Sequence, residues 1–219
     1  MTQVRFAAGL AIVAAAFAAG TVNADVVASF TYDDLSGNYD GAGNFQARAV
    51  DIAGVLQTSG DTSNLVTSQT ALFAPGFVSR SAANAVINIS VNNFGWNGPN
   101  TALGGGNFTF TDVTGATASG TISGDWSSPG AGILFFNGAL SGVTFSGPTF
   151  TGEFGSWGTN LPGGPPYDGA IVQLTFSGSG FFDSAFSDRA TGSTLQLVPT
   201  PGALALLGLG GLRATRQRS

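Results

Sequence analysis

Ile87, Ile89 and Val91 alternate with Asn88 and Ser90, and Phe108 and Phe110 alternate with Thr109 and Thr111. Apolar residues at every second position give a strand one buried face and one wet face. The same grain runs through most of the chain from Asp25 onward, where runs rich in Val, Ile, Phe and Thr are separated by Gly, Asn, Asp and Pro clusters that read as turns. The pattern predicts strands over residues 26–32, 44–52, 85–94, 107–113, 116–126, 132–140, 142–147, 171–182 and 193–198. Residues 61–71 depart from period two and are expected to hold one short helix on a crossover. Many short strands without long helical segments between them predict an all-β domain, an antiparallel two-sheet sandwich of jelly-roll type, with a closed barrel as the alternative.

Two apolar runs lie outside that grain, and both read as terminal helical signals. Met1 to Arg5 carries a positive charge, residues 6–20 are small and apolar, and Val22-Asn23-Ala24 presents small residues at the positions signal peptidase reads. Cleavage between Ala24 and Asp25 is expected. At the other end Pro199-Thr200-Pro201 precedes the stretch GALALLGLGGL, which is followed by Arg213, Arg216 and Arg218. As a helix this stretch reaches roughly 16 Å against a hydrocarbon core of about 30 Å, too short for a comfortable permanent anchor. Its basic tip favours a cytoplasmic side, which leaves the body outside the inner membrane. The chain thus divides into a signal peptide (1–24), a secreted β-domain (25–198) and a C-terminal signal (199–219).

Val198-Pro199-Thr200-Pro201, the apolar run and the Arg cluster together resemble the PEP-CTERM sorting signal, with Thr200 where that family usually carries Glu. The resemblance covers about the last tenth of the chain. It implies recognition and cleavage near the Pro pair by an exosortase-type membrane protease, after signal peptidase has acted at the other end. It implies delivery to the cell surface or the extracellular matrix of a bacterium that exports polysaccharide, with transient inner-membrane contact through the terminal segments. Such a signal gives an address and leaves the activity of the body open.

Composition narrows that activity. The chain of 219 residues has no Cys and no His, which removes disulfides, thiol nucleophiles, imidazole bases and the commonest zinc ligands. All twelve acidic residues lie between Asp25 and Asp188, a span that holds only three of the seven basic ones, Arg48, Arg80 and Arg189. So acidic a body opposes nucleic acid and anionic lipid and leaves neutral polysaccharide, cations or another protein as partners.

Three constellations carry candidate chemistry. Asp33, Asp34, Asn38 and Asp40 crowd oxygen ligands and glycines into what reads as a single turn, a composition that suits Ca²⁺, although these are also the residues any tight turn prefers and an ordinary hairpin is the leading reading. Trp96, Trp126, Trp157 and Tyr167 lie near expected turns, where flat aromatic faces stack on sugar rings, or else plug the domain's core. Glu153, the one Glu, has Asp125 or Asp168 as its partner in a carboxylate-pair hydrolase, though nothing in the spacing brings them together. The leading expectation is a non-catalytic surface or matrix protein with no cofactor and no catalytic residues. A sugar-binding module and a calcium-dependent or carboxylate-based hydrolase are the alternatives.

Overall fold

The computed structural model of the chain describes residues 25–51, 56–79, 82–130, 132–178 and 180–200. Its strands are β1 (Ala28–Tyr39), β2 (Asn44–Arg48), β3 (Ser59–Asn64), β4 (Gln69–Phe73), β5 (Asn84–Ser90), β6 (Thr101–Thr111), β7 (Thr117–Gly130), β8 (Ile133–Ser146), β9 (Thr149–Thr151), β10 (Ser156–Gly158), β11 (Tyr167–Ser177) and β12 (Phe186–Pro199). A 3-10 turn, Phe77–Ser79, precedes β5. Among the described residues no helix is long and apolar enough to cross a membrane.

Eight antiparallel strands close into a barrel in the order β1-β2-β5-β6-β7-β8-β11-β12, and β12 returns to β1. The two-sheet sandwich expected from the sequence is therefore incorrect. Period two buries one face in either architecture. What separates them is whether first and last strands pair, and here the ladder runs from Ala28↔Leu197 to Tyr39↔Phe186. Several expected strands also prove to be parts of longer ones. Residues 132–140 and 142–147 form the single strand β8, which carries a register shift against β7 beside Thr121↔Ser141.

Aromatic rings fill the interior. Phe45 stacks on Phe176 at 4.9 Å between centroids, and Trp126 meets Phe136 edge-on at 4.8 Å. Further along the axis Phe30 touches Phe110, Phe150 and Trp157. Rings of this size need wall positions without side chains. A Cβ on Gly104 would lie 2.7 Å from the Phe136 ring and 2.8 Å from the Trp126 indole nitrogen. Glycine facing inward on one strand thus makes room for an aromatic on the next, at the general cost that glycine imposes on a strand.

The wall divides along β1. Its first half, Ala28 to Asp33, pairs with β3, and its second, Ser36 to Tyr39, pairs with β2. The switch falls at a bulge where Asp34 has φ 56°. Thr58, fully buried, fills the fork. Its hydroxyl donates to the Asp34 carbonyl at 2.9 Å and accepts from the Val50 amide at 3.0 Å. The short helix expected over residues 61–71 is instead the hairpin β3–β4.

The β9–β10 hairpin covers the neighbouring end, inserting Phe150 and Trp157 among Phe30 and Phe145. Asp112, fully buried after β6, fixes it. One carboxylate oxygen accepts from the Thr114 and Ala116 amides at 2.8 Å each, and the other accepts from the Thr151 amide at 2.7 Å.

Strand directions give the barrel two distinct rims. Asp25 and Thr200 leave from one, the exit rim, together with the β3–β4 turn and the β9–β10 hairpin. The turns after β1, β5, β7 and β11 form the opposite, far rim. The outer face between the rims is uncharged over much of its area. Gln46 donates to Asn88 at 2.8 Å, Asn88 donates to Asn107 at 3.0 Å, and Thr121 shares a hydrogen with Ser141 at 2.8 Å, forming a polar rung across five strands.

Candidate functional site

The four aromatics singled out in the sequence separate sharply. Trp126, Trp157 and Tyr167 are interior residues with satisfied polar atoms. The Trp126 indole donates to the Ser90 carbonyl at 2.9 Å, that of Trp157 to the Thr62 hydroxyl at 3.1 Å, and the Tyr167 hydroxyl to the Leu161 carbonyl at 3.0 Å. None of the three presents a face to solvent. Trp96 does, at 48% exposure, and Phe94, which the sequence reading passed over, stands beside it in the chain at 55%.

Both belong to the loop joining β5 to β6 at the far rim. Asn92 and Leu103 exchange both backbone hydrogen bonds, at 3.0 and 2.8 Å, and close the loop's base. The Gly95 amide donates to the Thr101 carbonyl at 2.7 Å, and the Thr101 hydroxyl donates to the Gly98 carbonyl at 2.7 Å. The chain can fold back so tightly because Gly98 takes φ 112°, a region side chains rarely enter, while Asn93 and Asn100 occupy the left-handed wells that Asn tolerates. Phe94 leans edge-on against Phe181 of the β11–β12 connection at 6.1 Å. Asn92, Asn93, Asn97 and Asn100 share the loop with the two rings and are exposed, and residues 91–100 carry no charge. Exposed aromatic faces beside amide donors and acceptors can meet both the C–H face and the hydroxyls of a sugar. The expected strand 85–94 placed Phe94 at its end, but β5 stops at Ser90; the signal was that the period-two alternation ends at Val91, which leaves Phe94 inside an Asn/Gly cluster.

The acidic group does not form the expected turn. Asp33, Asp34 and Asn38 lie within β1, and only Asp40 reaches the turn. Asn38 donates to the Ser36 hydroxyl and carbonyl at 3.0 Å, and Ser36 in turn donates to Asp188 at 2.8 Å. Asp40 accepts from the Asn44 side chain at 2.6 Å and from the amides of Asn44 and Ala42, and these bonds hold its carboxyl below the ordinary carboxylate range. Its oxygens thus organise the β1–β2 turn. Among the described residues no three acidic side chains converge as a metal-holding group.

Glu153 sits in the β9–β10 turn, where its carboxylate accepts from the Ala74 amide at 2.6 Å. Asp125 is on β7 opposite Asn137, and Asp168 is on β11 opposite Val198 at the exit rim. Tyr167 and Gly169, which flank Asp168, pair with Val143 and Leu140 of β8, so between three and six residues of β8, at least about 10 Å of strand, separate the levels of the two aspartates. The three carboxylates are not brought together.

Two buried hydroxyls, Tyr32 and Ser193, lack a partner among the described residues and stand opposite each other across the β1–β12 seam. Burial, reinforced by Asp61 and Asp112, pushes the Tyr32 phenol far above its ordinary range, so it stays neutral.

Of the sorting-signal residues, Val198 and Pro199 end β12, and the Thr200 hydroxyl donates to the Pro166 carbonyl at 2.7 Å. Asp25 is exposed at the start of the described body. Ala24, Pro201, Arg213, Arg216 and Arg218 lie outside the described residues. Comparison of the chain with family models, curated proteins and solved structures gave no match.

Proposed function

We propose that the protein is an exported, non-catalytic surface or matrix protein that holds neutral polysaccharide through the Phe94–Trp96 loop. The observation that carries this reading is the exposure of two aromatic side chains on an uncharged, hydrogen-bonded loop at the rim opposite the chain ends. An acidic body avoids anionic polymers and leaves neutral sugars unopposed. The loop's place at the far rim suits a protein delivered through its C-terminal tail, because the aromatics point away from whatever holds the exit rim. Delivery itself rests on the resemblance of residues 198–218 to an exosortase-type sorting signal.

The test is retention on immobilised neutral polysaccharides, comparing the secreted protein with Phe94→Ala and Trp96→Ala. Each substitution is expected to weaken binding roughly tenfold, the weight of one good aromatic contact, while the fold is kept, Phe94→Ala losing at most about 1 kcal/mol with the edge contact to Phe181. Retention that survives both substitutions would exclude this loop as the binding surface. Intact mass of the mature protein, from hosts with and without the sorting protease, tests the delivery reading separately.

A further inference from the structure

We infer that the exit rim is a membrane-facing surface, and that while the C-terminal tail is held in a bilayer the β3–β4 hairpin tip, Leu65 and Val66, rests among neutral lipid headgroups. This deepens the proposed function and rests on its reading of the tail. Leu65 is 46% exposed and Val66 54%, two adjacent aliphatic side chains at the tip of a turn, where polar residues ordinarily stand.

Register fixes where they are relative to the tail. Ala28 pairs with Leu197 on one side and with Asn64 on the other, and the Leu65 amide donates to the Val27 carbonyl at 3.0 Å. Leu65 is thus level with the last residues of β12 and two strand spacings, roughly 10 Å, to the side. Val66 extends further beyond the rim.

The chain leaves little slack. β12 ends at Pro199, and the apolar run begins at Gly202. Three residue steps span at most about 10 Å. The Thr200 hydrogen bond to Pro166 shortens the free length further. Headgroups occupy about 5–8 Å of each leaflet. A tail inserted from Gly202 therefore draws the exit rim onto the headgroup layer and places the hairpin tip there with it.

Charge selects the lipid. Asp25 and Asp168 stand at this rim, and the nearby turn residues Leu65, Val66, Thr67 and Ser68 include no cation, so a zwitterionic surface fits better than an anionic one. A groove between Val66 and residues 161–164 beside the strand end offers the tail another resting place, folded back on its own barrel.

The absence of native Cys allows single-site labelling. The tail-bearing protein, carrying an environment-sensitive fluorophore at Val66→Cys, Asn97→Cys or Leu206→Cys, is reconstituted into phosphatidylcholine vesicles containing spin-labelled lipid. Expected are quenching and a blue shift at 206 and at 66, and a water-like signal at 97. Adding Leu65→Asp to Val66→Cys should lower the docked-to-free ratio at 66 roughly tenfold, the weight of one buried aliphatic side chain, without changing 206. A lipid signal at 206 with a water-like 66 overturns the docking and leaves the tail reading intact. A water-like 206 overturns both. A blue-shifted 66 before vesicles are added means that the hairpin is covered by protein, by the tail or a second copy, and also overturns the proposal.

Discussion

The Val27 amide donates to the Leu197 carbonyl at 2.8 Å, joining residues 170 positions apart across the seam of the barrel. Every other wall pairing can form before the chain is complete, but β1 and β11 both wait for β12. A protein ending after Ala190 is therefore expected to lose its cooperative thermal transition, while one ending after Thr200 keeps the full ladder and melts like the complete chain. Circular dichroism melts of the two truncations decide this.

Inward-facing Gly104 and outward-facing Gly105 make opposite predictions from adjacent positions. A methyl on Gly104 meets Phe136, Ile89 and Trp126 at 2.7–2.8 Å, whereas one on Gly105 meets its nearest atom, the Ile122 carbonyl oxygen, at 3.6 Å. Gly104→Ala should cost about 1–3 kcal/mol by overpacking. Gly105→Ala should stay within about 0.5 kcal/mol of the parent. Denaturant titration of both variants measures the difference.

Asp112 is expected to be among the most sensitive polar positions. Asp112→Ala strands the amides of Thr114, Ala116 and Thr151 and should cost about 3 kcal/mol or more. Asp112→Asn retains an oxygen for the turn and should lose less. An alanine variant as stable as the parent would show that water readily takes over these donors.

Asp61 gives the fold a small acid-favouring contribution. Partial burial, and secondarily the charge of Asp33, raise its carboxyl above the ordinary range. A folded-state value above the unfolded one means that the ionised form opposes folding at neutral pH, and that this cost disappears as pH falls through the raised value. Asp61→Asn should then raise the melting temperature at pH 7 and leave it unchanged near pH 3. The solvent-screened site limits the gain to less than about 1 kcal/mol. Asp40, whose carboxyl is lowered, contributes in the opposite direction: its stabilisation is present at neutral pH and fades as pH falls.

Much of β5 to β8 was legible because stretches such as 85–90, 107–111 and 117–123 set mostly Thr, Ser and Asn outward against apolar residues or Gly inward, a contrast that local sequence carries, while the Gly-rich start of β6 over 101–106 lacks it. Closure was not, since it depends on pairing Ala28 with Leu197 and no local pattern records a partner that distant. β3 escaped notice for a different reason. Its buried side chains are Thr62 and Asn64, which face inward because Trp157 donates to one and the other donates to the Gly158 carbonyl. The supposed acidic turn misled because Asp and Asn also occupy a bulge, and Asp34 supplies the left-handed residue that lets β1 change partners. Trp96 was visible as a candidate, but only the structure separates it from Trp126 and Trp157, whose indole hydrogens find acceptors inside.

Because the wall returns on itself, each of its eight strands has a neighbour on both sides. An open sheet offers a row of unsatisfied amides to the next molecule, and a crowd of such sheets joins edge to edge. The ring avoids that mode of cross-linking, although β4 of the outlying hairpin ends the sheet and pairs outward at Leu72, with Phe154. Copies can crowd against one another with water between their walls, and cohesion then falls to the rim loops and to the outlying hairpin, where Leu72 and Phe154 are exposed.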